Sequence, residues 1–203
     1  QSGNRLRLMV RQRRVDVAVR VIAPSGAVLG SVTNASHRTD PVTLTVITAE
    51  SGAHRVEIQL EKPDSHPGAF RLSLDPVAPA SDRDRQRMRA EALRNEGDLT
   101  ADPKNPKSFQ LAVAKYEESE ATWRTLGDSL ELASTLTRRA DILAYTGQLP
   151  KAKSVLDEAL SLWRRVGDEE GELDCLILLG TVMGHTGEPR QGLAFLHQAL
   201  DMR

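Results

Sequence analysis

The only thiol in the 203 residues is Cys175, within "ELDCLILLG". A nucleophilic cysteine needs a base within hydrogen-bond reach and a polar, partly open setting. Cys175 falls in the apolar stripe of a helical pattern. His185 lies ten residues further along the same pattern, and His197 lies in the next one. Neither the spacing nor any third orienting group makes a Cys–His pair, so Cys175 is read as a small buried hydrophobe. Serine, histidine and aspartate are plentiful, but G-x-S-x-G, H-E-x-x-H and G-x-x-x-x-G-K-[ST] are all absent. "GTVMGHTG" at Gly180–Gly187 lacks the phosphate-loop lysine and follows no strand pattern; it reads as a helix ending in its closing glycine. These residues predict no catalytic site and no cofactor: the chain is not expected to be an enzyme.

Metal and nucleic-acid chemistry fare no better. Asp16, Asp40, Asp64 and Asp75 are scattered singly, and His37, His54 and His66 share no ligand spacing. One cysteine excludes both an intrachain disulfide framework and a cysteine-rich zinc site. "RLRLMVRQRR" holds five arginines, but no aromatic residue interleaves to stack a base, and alternation would spread Arg5 and Arg7 along a solvated strand face. The "NAS" at Asn34–Ser36 is too short a signal to carry weight. The net charge is −1, with ten basic and seven acidic residues up to Ala80 (+3) and 17 and 21 after it (−4). Neither half implies a nucleic-acid or membrane partner, and no apolar run approaches the ~20 residues that span a bilayer. The sequence begins at Gln1 and stops at Arg203 within a helical pattern, as expected of a fragment of a longer protein.

The elements carrying these residues change character near residue 80. From Arg5 to Asp75 the apolar positions alternate: Leu6, Leu8 and Val10, then Val15, Val17, Val19 and Val21. "APSG" at Ala23–Gly26 supplies a turn into Ala27–Val32, and three further runs follow at Val42–Thr48, His54–Leu60 and Ala69–Leu74. Six short strands without a helical period predict an antiparallel sandwich or barrel over residues 1–78. "PVAPASDRD" then breaks the pattern, and Ser81 with Asp84 forms a capping signal for a helix running to about Glu96, where "NEGD" should end it.

Beyond Ser108 the chain repeats itself at an interval of 40 residues. "WRTLGD" at Trp123–Asp128 returns as "WRRVGD" at Trp163–Asp168, and Ala112, Glu118, Leu136, Gly147 and Leu156 return as Ala152, Glu158, Leu176, Gly187 and Leu196. Such a period signals stacked helix pairs, none able to bury its apolar face alone. Helices are expected at about Ser129–Tyr145 and Leu149–Val166. The tryptophans mark the end of each pair's second helix, sealing one unit to the next.

Small residues and turn glycines in fixed register, Ala140, Gly147 and Ala152, then Gly180, Gly187 and Gly192, resemble tetratricopeptide repeats of the kinesin-light-chain kind. HEAT and armadillo arrays share the period but not this register. Three units are expected over residues 81–203, at 81–127, 128–167 and 168–203, with "LTADPKNPKS" inserting extra residues between the two helices of the first. The strand-rich half, through "GNRLRLMV", "VDVAVRVIAPSGAVLGSV" and "SGAHRVEIQLEKPDSHPGAFRLSL", resembles the bacterial pre-peptidase C-terminal β-sandwich, whose members carry strands upstream of the first seen here. A missing strand would leave a sheet edge unpaired. The order of the two halves is similar to the N-terminal part of bacterial CHAT-domain proteins, where a caspase-like peptidase lies downstream. The resemblances imply two domains, an antiparallel β-sandwich followed by a right-handed α-solenoid, and a protein or peptide partner. The concave face of the repeats would carry Arg87, Glu91 and Arg94, then Ser134, Thr137, Arg138, Asp141 and Tyr145, then Asp174, Ile177, Thr181 and His185. A recruiting segment of a CHAT-type peptidase is the alternative. The sandwich resemblance leans towards export or the periplasm, and Phe195 and Leu196 near the last residue invite self-association.

Overall fold

The computed structural model describes residues 3–13, 15–33, 41–60 and 68–202. Asp40, Asp64, His37, His66 and the Asn34–Ser36 tripeptide lie outside the described residues. Backbone packing gathers the chain into two compact units, Gln1–Asn95 and Glu96–Arg203.

The first unit is an antiparallel β region of two sheets. One sheet has the order β4 (Val42–Ile47), β1 (Asn4–Arg13), β6 (Ala69–Leu74), with a two-residue β7 (Ala78–Pro79) also pairing β1. The other has the order β3 (Val28–Thr33), β2 (Val17–Ile22), β5 (Arg55–Leu60). Strict alternation builds the core: Leu6, Leu8 and Val10 of β1 meet Val17, Val19 and Val21 of β2, with Val32, Val42, Leu44 and Val46 completing the cluster. The turn at Ala23–Gly26 forms as expected, with the Gly26 amide donating to the Ala23 carbonyl at 2.9 Å and φ of 89° at Gly26.

One flank of the sandwich is closed and the other is open. On the closed flank β3 lies against β4, so closely that a Cβ on Gly30 would stand 2.8 Å from Val46 Cγ1. On the other flank, among the described residues β6 pairs only β1, and its register places Leu74 opposite Leu8 and Leu72 opposite Val10. Phe70, Leu72 and Leu74 therefore point to the core side, yet they are 46%, 39% and 53% exposed.

The strand β4 is buried on both faces, because Thr43 and Thr45 on its outer side are covered by helix α1 (Asp82–Thr100). Glu91 accepts hydrogen bonds from the Thr45 amide (2.6 Å) and hydroxyl (2.9 Å), and Arg94 donates to the Thr43 hydroxyl at 3.2 Å. The start of α1 is the predicted capping box: Ser81 donates its amide to Asp84 at 2.9 Å, and the Asp84 amide donates back to the Ser81 hydroxyl at 3.2 Å. The expectation of a solvated arginine face is corrected here. Arg5 and Arg7 are 22% and 19% exposed, and they lie 3.6 Å from Asp84 and Asp75 respectively.

The second expectation corrected is the end of α1. "NEGD" does not stop the helix, which continues to Thr100. Gly97 lies inside it as a packing contact: a Cβ there would stand 2.7 Å from the Tyr116 ring. Asp98 accepts from the Tyr116 hydroxyl (2.7 Å) and from Arg138 Nη1 (2.9 Å).

The remaining helices are α2 (Pro106–Leu126), α3 (Ser129–Tyr145), α4 (Leu149–Val166), α5 (Glu169–His185) and α6 (Pro189–Asp201). The repeated "GD" sets their punctuation. Gly127 and Gly167 close α2 and α4 in the left-handed conformation, at φ 64° and 72°. Asp128 and Asp168 then cap α3 and α5 by accepting from the amides of Glu131 and Gly171. Trp123 and Trp163 are 0% and 1% exposed. The Trp163 indole donates to the Thr137 hydroxyl on α3 at 3.0 Å, and its ring lies where a Cβ on Gly171 of α5 would come within 2.5 Å. Burying one such ring removes 150–250 Å² from water, worth roughly 4–6 kcal/mol. Cys175 is fully buried, its thiol donating to the Leu156 carbonyl.

Two outcomes follow from these packings. Gly171→Ala forces the Trp163 ring aside and should cost about 1–3 kcal/mol, read as a lower midpoint for loss of helical circular dichroism in urea. The Asp84 carboxyl sits below its usual range. Burial raises it, but the Ser81 hydrogen bonds and the Arg5 and Arg87 charges outweigh that effect. A depressed folded pKa gives stability that is present above the unfolded value of 3.8 and is lost as pH falls through the lower folded value. Asp84→Asn should therefore lower the melting temperature at pH 7, and the gap to the parent should close in acid.

Candidate protein-binding surface

The twelve positions expected on the inner face of the helical repeats separate into two classes. Arg87, Glu91, Arg94, Ser134, Thr137 and Arg138 are buried, none more than 7% exposed. Glu91 and Arg94 hold α1 to β4, Thr137 receives the Trp163 indole, and Arg138 pairs with Asp98. Charged side chains buried in such bonds are structural ties, since removing one partner leaves the other desolvated and unpaired. The other six remain accessible. Asp141 and Asp174 are half-buried, Thr181 and His185 are exposed, and Ile177 and Tyr145 are 38% and 66% exposed.

This division follows the helix geometry. Residues 134, 137, 138, 141 and 145 recur every three to four positions and so share one stripe of α3. The N-terminal half of that stripe is buried and the C-terminal half is open. The equivalent stripe of α5 opens from Ile177 onward. The two helices neighbour each other, and the accessible positions of their stripes carry two carboxylates, an imidazole, a hydroxyl, an aromatic ring and an aliphatic side chain.

A second feature was not anticipated. Next to Tyr145 lies a cleft of about 630 Å³ between the start of α2, the end of α3 and the start of α4, with Pro103, Pro106, Phe109, Val113, Leu143 and Tyr145 as its apolar lining. The Phe109 and Tyr145 rings are 5.1 Å apart and tilted by 50°. The segment between α1 and α2 forms one wall, and it is fastened internally. The Asp102 amide donates to the Ser108 hydroxyl (2.9 Å), which donates to the Asn105 carbonyl (2.6 Å), while the Lys104 amide donates to Asp102 Oδ1 (2.9 Å). The only sequence signal for this cleft was the unusual length of "LTADPKNPKS".

From the cleft wall an ion network runs inward to a buried carboxylate and back out to the surface. Glu120 is 2% exposed and accepts from Arg139 Nε at 2.6 Å and Nη2 at 3.0 Å. Its carboxyl is pushed above the usual range because burial outweighs the opposing pull of Arg139 and Arg124. Arg139 also reaches Glu117 on the cleft wall at 3.4 Å. Arg124 continues the network to Glu158 of α4 at 2.9 Å, and its pKa is raised: burial lowers it, but Glu158 and Glu120 outweigh that. Among the described residues no three His, Cys, Asp or Glu side chains converge as metal ligands would, and no helix is long and apolar enough to cross a membrane.

Arg139→Met would leave Glu120 buried without its bidentate partner and should cost about 3 kcal/mol; Arg139→Lys, a point charge without the fork, should recover only part of that. Urea unfolding of the two variants measures the difference.

With this geometry in place, similarity to known proteins is informative for one part of the chain. Residues 131–203 match the tetratricopeptide repeat family. No curated protein shows significant similarity to the chain. The matched stretch takes in α3 to α6, the two helix pairs whose residues repeat at 40.

Proposed function

We propose that this chain is a non-catalytic protein-interaction module that takes a partner protein or peptide on the open halves of α3 and α5. The observation that carries the reading is the strip itself. Helix pairs that match tetratricopeptide repeats, a family whose general role is protein–protein interaction, leave Asp141, Tyr145, Asp174, Ile177, Thr181 and His185 at least partly accessible to solvent, while the rest of the same stripe is buried. Helices α1 and α2 serve as a first, irregular repeat pair in this reading. The strip is mixed in charge and lacks a cluster of cations, so it does not favour capture of a chain-terminal carboxylate. Its two carboxylates favour a segment with a basic side chain beside an apolar one.

A photoreactive amino acid at Ile177, compared with one at the exposed Leu111 of α2, tests this in a lysate of the source cells. A discrete crosslinked product is expected from Ile177 and not from Leu111. It should vanish in the Asp141→Arg, Asp174→Arg variant, whose helical circular dichroism should show that it is still folded at the assay temperature. Equal labelling from both positions, or a product indifferent to charge reversal, would remove the strip as the binding surface.

A further inference from the structure

The cleft beside Tyr145 has the features of a second recognition site, distinct in its lining from the α3–α5 strip except for that one residue. Its volume of about 630 Å³ falls in the range of ~300–1,000 Å³ typical of ligand sites. Phe109, only 7% exposed, forms the floor, and Tyr145 stands open beside it as a shelf for an apolar side chain. The wall made by Pro103 and Pro106 is held in place by the Ser108 hydrogen bonds, so little ordering cost remains for a ligand to meet.

The charges at the cleft say what accompanies the apolar group. Arg139 is occupied by Glu120 and Glu117. Lys151 is different: it is exposed, donates to the neutral Gln148 side chain at 3.0 Å, and has no carboxylate within ion-pair distance among the described residues. The Gln110 and Gln148 amides at the rim can donate to and accept from an extended backbone. We infer that the cleft binds an extended peptide segment that lays an apolar side chain on the Phe109–Tyr145 pair and sets a carboxylate on Lys151. This rests on the broader reading of the chain as an interaction module, but it uses a different surface and an opposite charge preference in the partner.

Selection of random dodecapeptides on the full chain tests it, with one phage library displaying free N-termini and a second displaying free C-termini. Enriched peptides should carry a Leu-, Phe- or Pro-type residue within two positions of Asp or Glu in the first library, or of the terminal carboxylate in the second; which library enriches tells whether the acid is a side chain or a chain end. A synthetic copy of an enriched peptide should lose about ten-fold or more in affinity by fluorescence anisotropy against Lys151→Glu and against Tyr145→Ala, and Lys151→Arg should retain binding. Both residues are exposed, so the variants should fold as the parent does, which circular dichroism checks. The inference is overturned if neither library enriches beyond the level reached on the Lys151→Glu, Tyr145→Ala double variant, or if the peptides ignore Lys151→Glu. Sensitivity to Asp141→Arg with Asp174→Arg alone would also overturn it, by moving the site to the strip while the interaction-module reading stands.

Discussion

The contact between Trp163 and Gly171 is the constraint on which the repeated helices depend. A helix pair has an apolar stripe that it cannot bury by itself, so each pair must be fitted closely to the next. The ring of Trp163 does this from the end of α4, reaching α3 through the Thr137 hydroxyl and α5 at Gly171, where the absence of a side chain makes room for it. The fit fixes where α5 begins, because Gly171 is also the residue whose amide caps on Asp168. Packing and punctuation are thus set by the same few residues. A similar economy brings α5 against α6, where the backbones of Gly180 and Gly192 approach so closely that a Cβ on Gly192 would stand 2.7 Å from the Gly180 carbonyl oxygen.

That dependence explains why identical dipeptides do different work. Gly127–Asp128 and Gly167–Asp168 end one helix and start another, whereas Gly97–Asp98 sits inside α1. At residue 97 the absence of a side chain makes room for the Tyr116 ring, and Asp98 is drawn into bonds with Tyr116 and Arg138. Glycine lacks a Cβ in all three places; what differs is whether that freedom is used for backbone rotation or for space. Local sequence cannot tell the two uses apart, since the deciding atoms belong to a residue 19 positions away.

Much of the architecture was legible because it is periodic. The alternation of Leu6, Leu8 and Val10 fixed one face of β1, and the bounds of α3 and α4 follow directly from the interval between the tryptophans. The inner-face positions were legible only as a stripe. Periodicity says that Ser134, Thr137, Arg138, Asp141 and Tyr145 share a face, but not how far along the helix that face is covered. Arg138 illustrates the limit: an exposed arginine and one paired with Asp98 have the same sequence spacing, and only the long α1, invisible to the turn signal, brings Asp98 within reach. Arg5 and Arg7 illustrate it again, since their carboxylate partners lie at Asp84 and Asp75, 79 and 68 residues on.

The residues that seal the joints and the accessible positions on α3 and α5 are therefore different residues. What recurs at 40, the tryptophans, turn glycines and small helix residues, is buried or bent and serves the joints. Several of the open positions on α3 and α5 depart from the repeat. Asp141 and Tyr145 are replaced by Thr181 and His185 one unit later, and the cleft owes its wall to an insertion with no counterpart between α3 and α4 or between α5 and α6. A helical array of this kind can vary those positions without loosening its joints, because the side chains that face solvent at the helix ends take no part in the Trp163 contact. The energy of assembly thus lies in the residues that recur at the fixed interval, leaving the interruptions free to differ in chemistry.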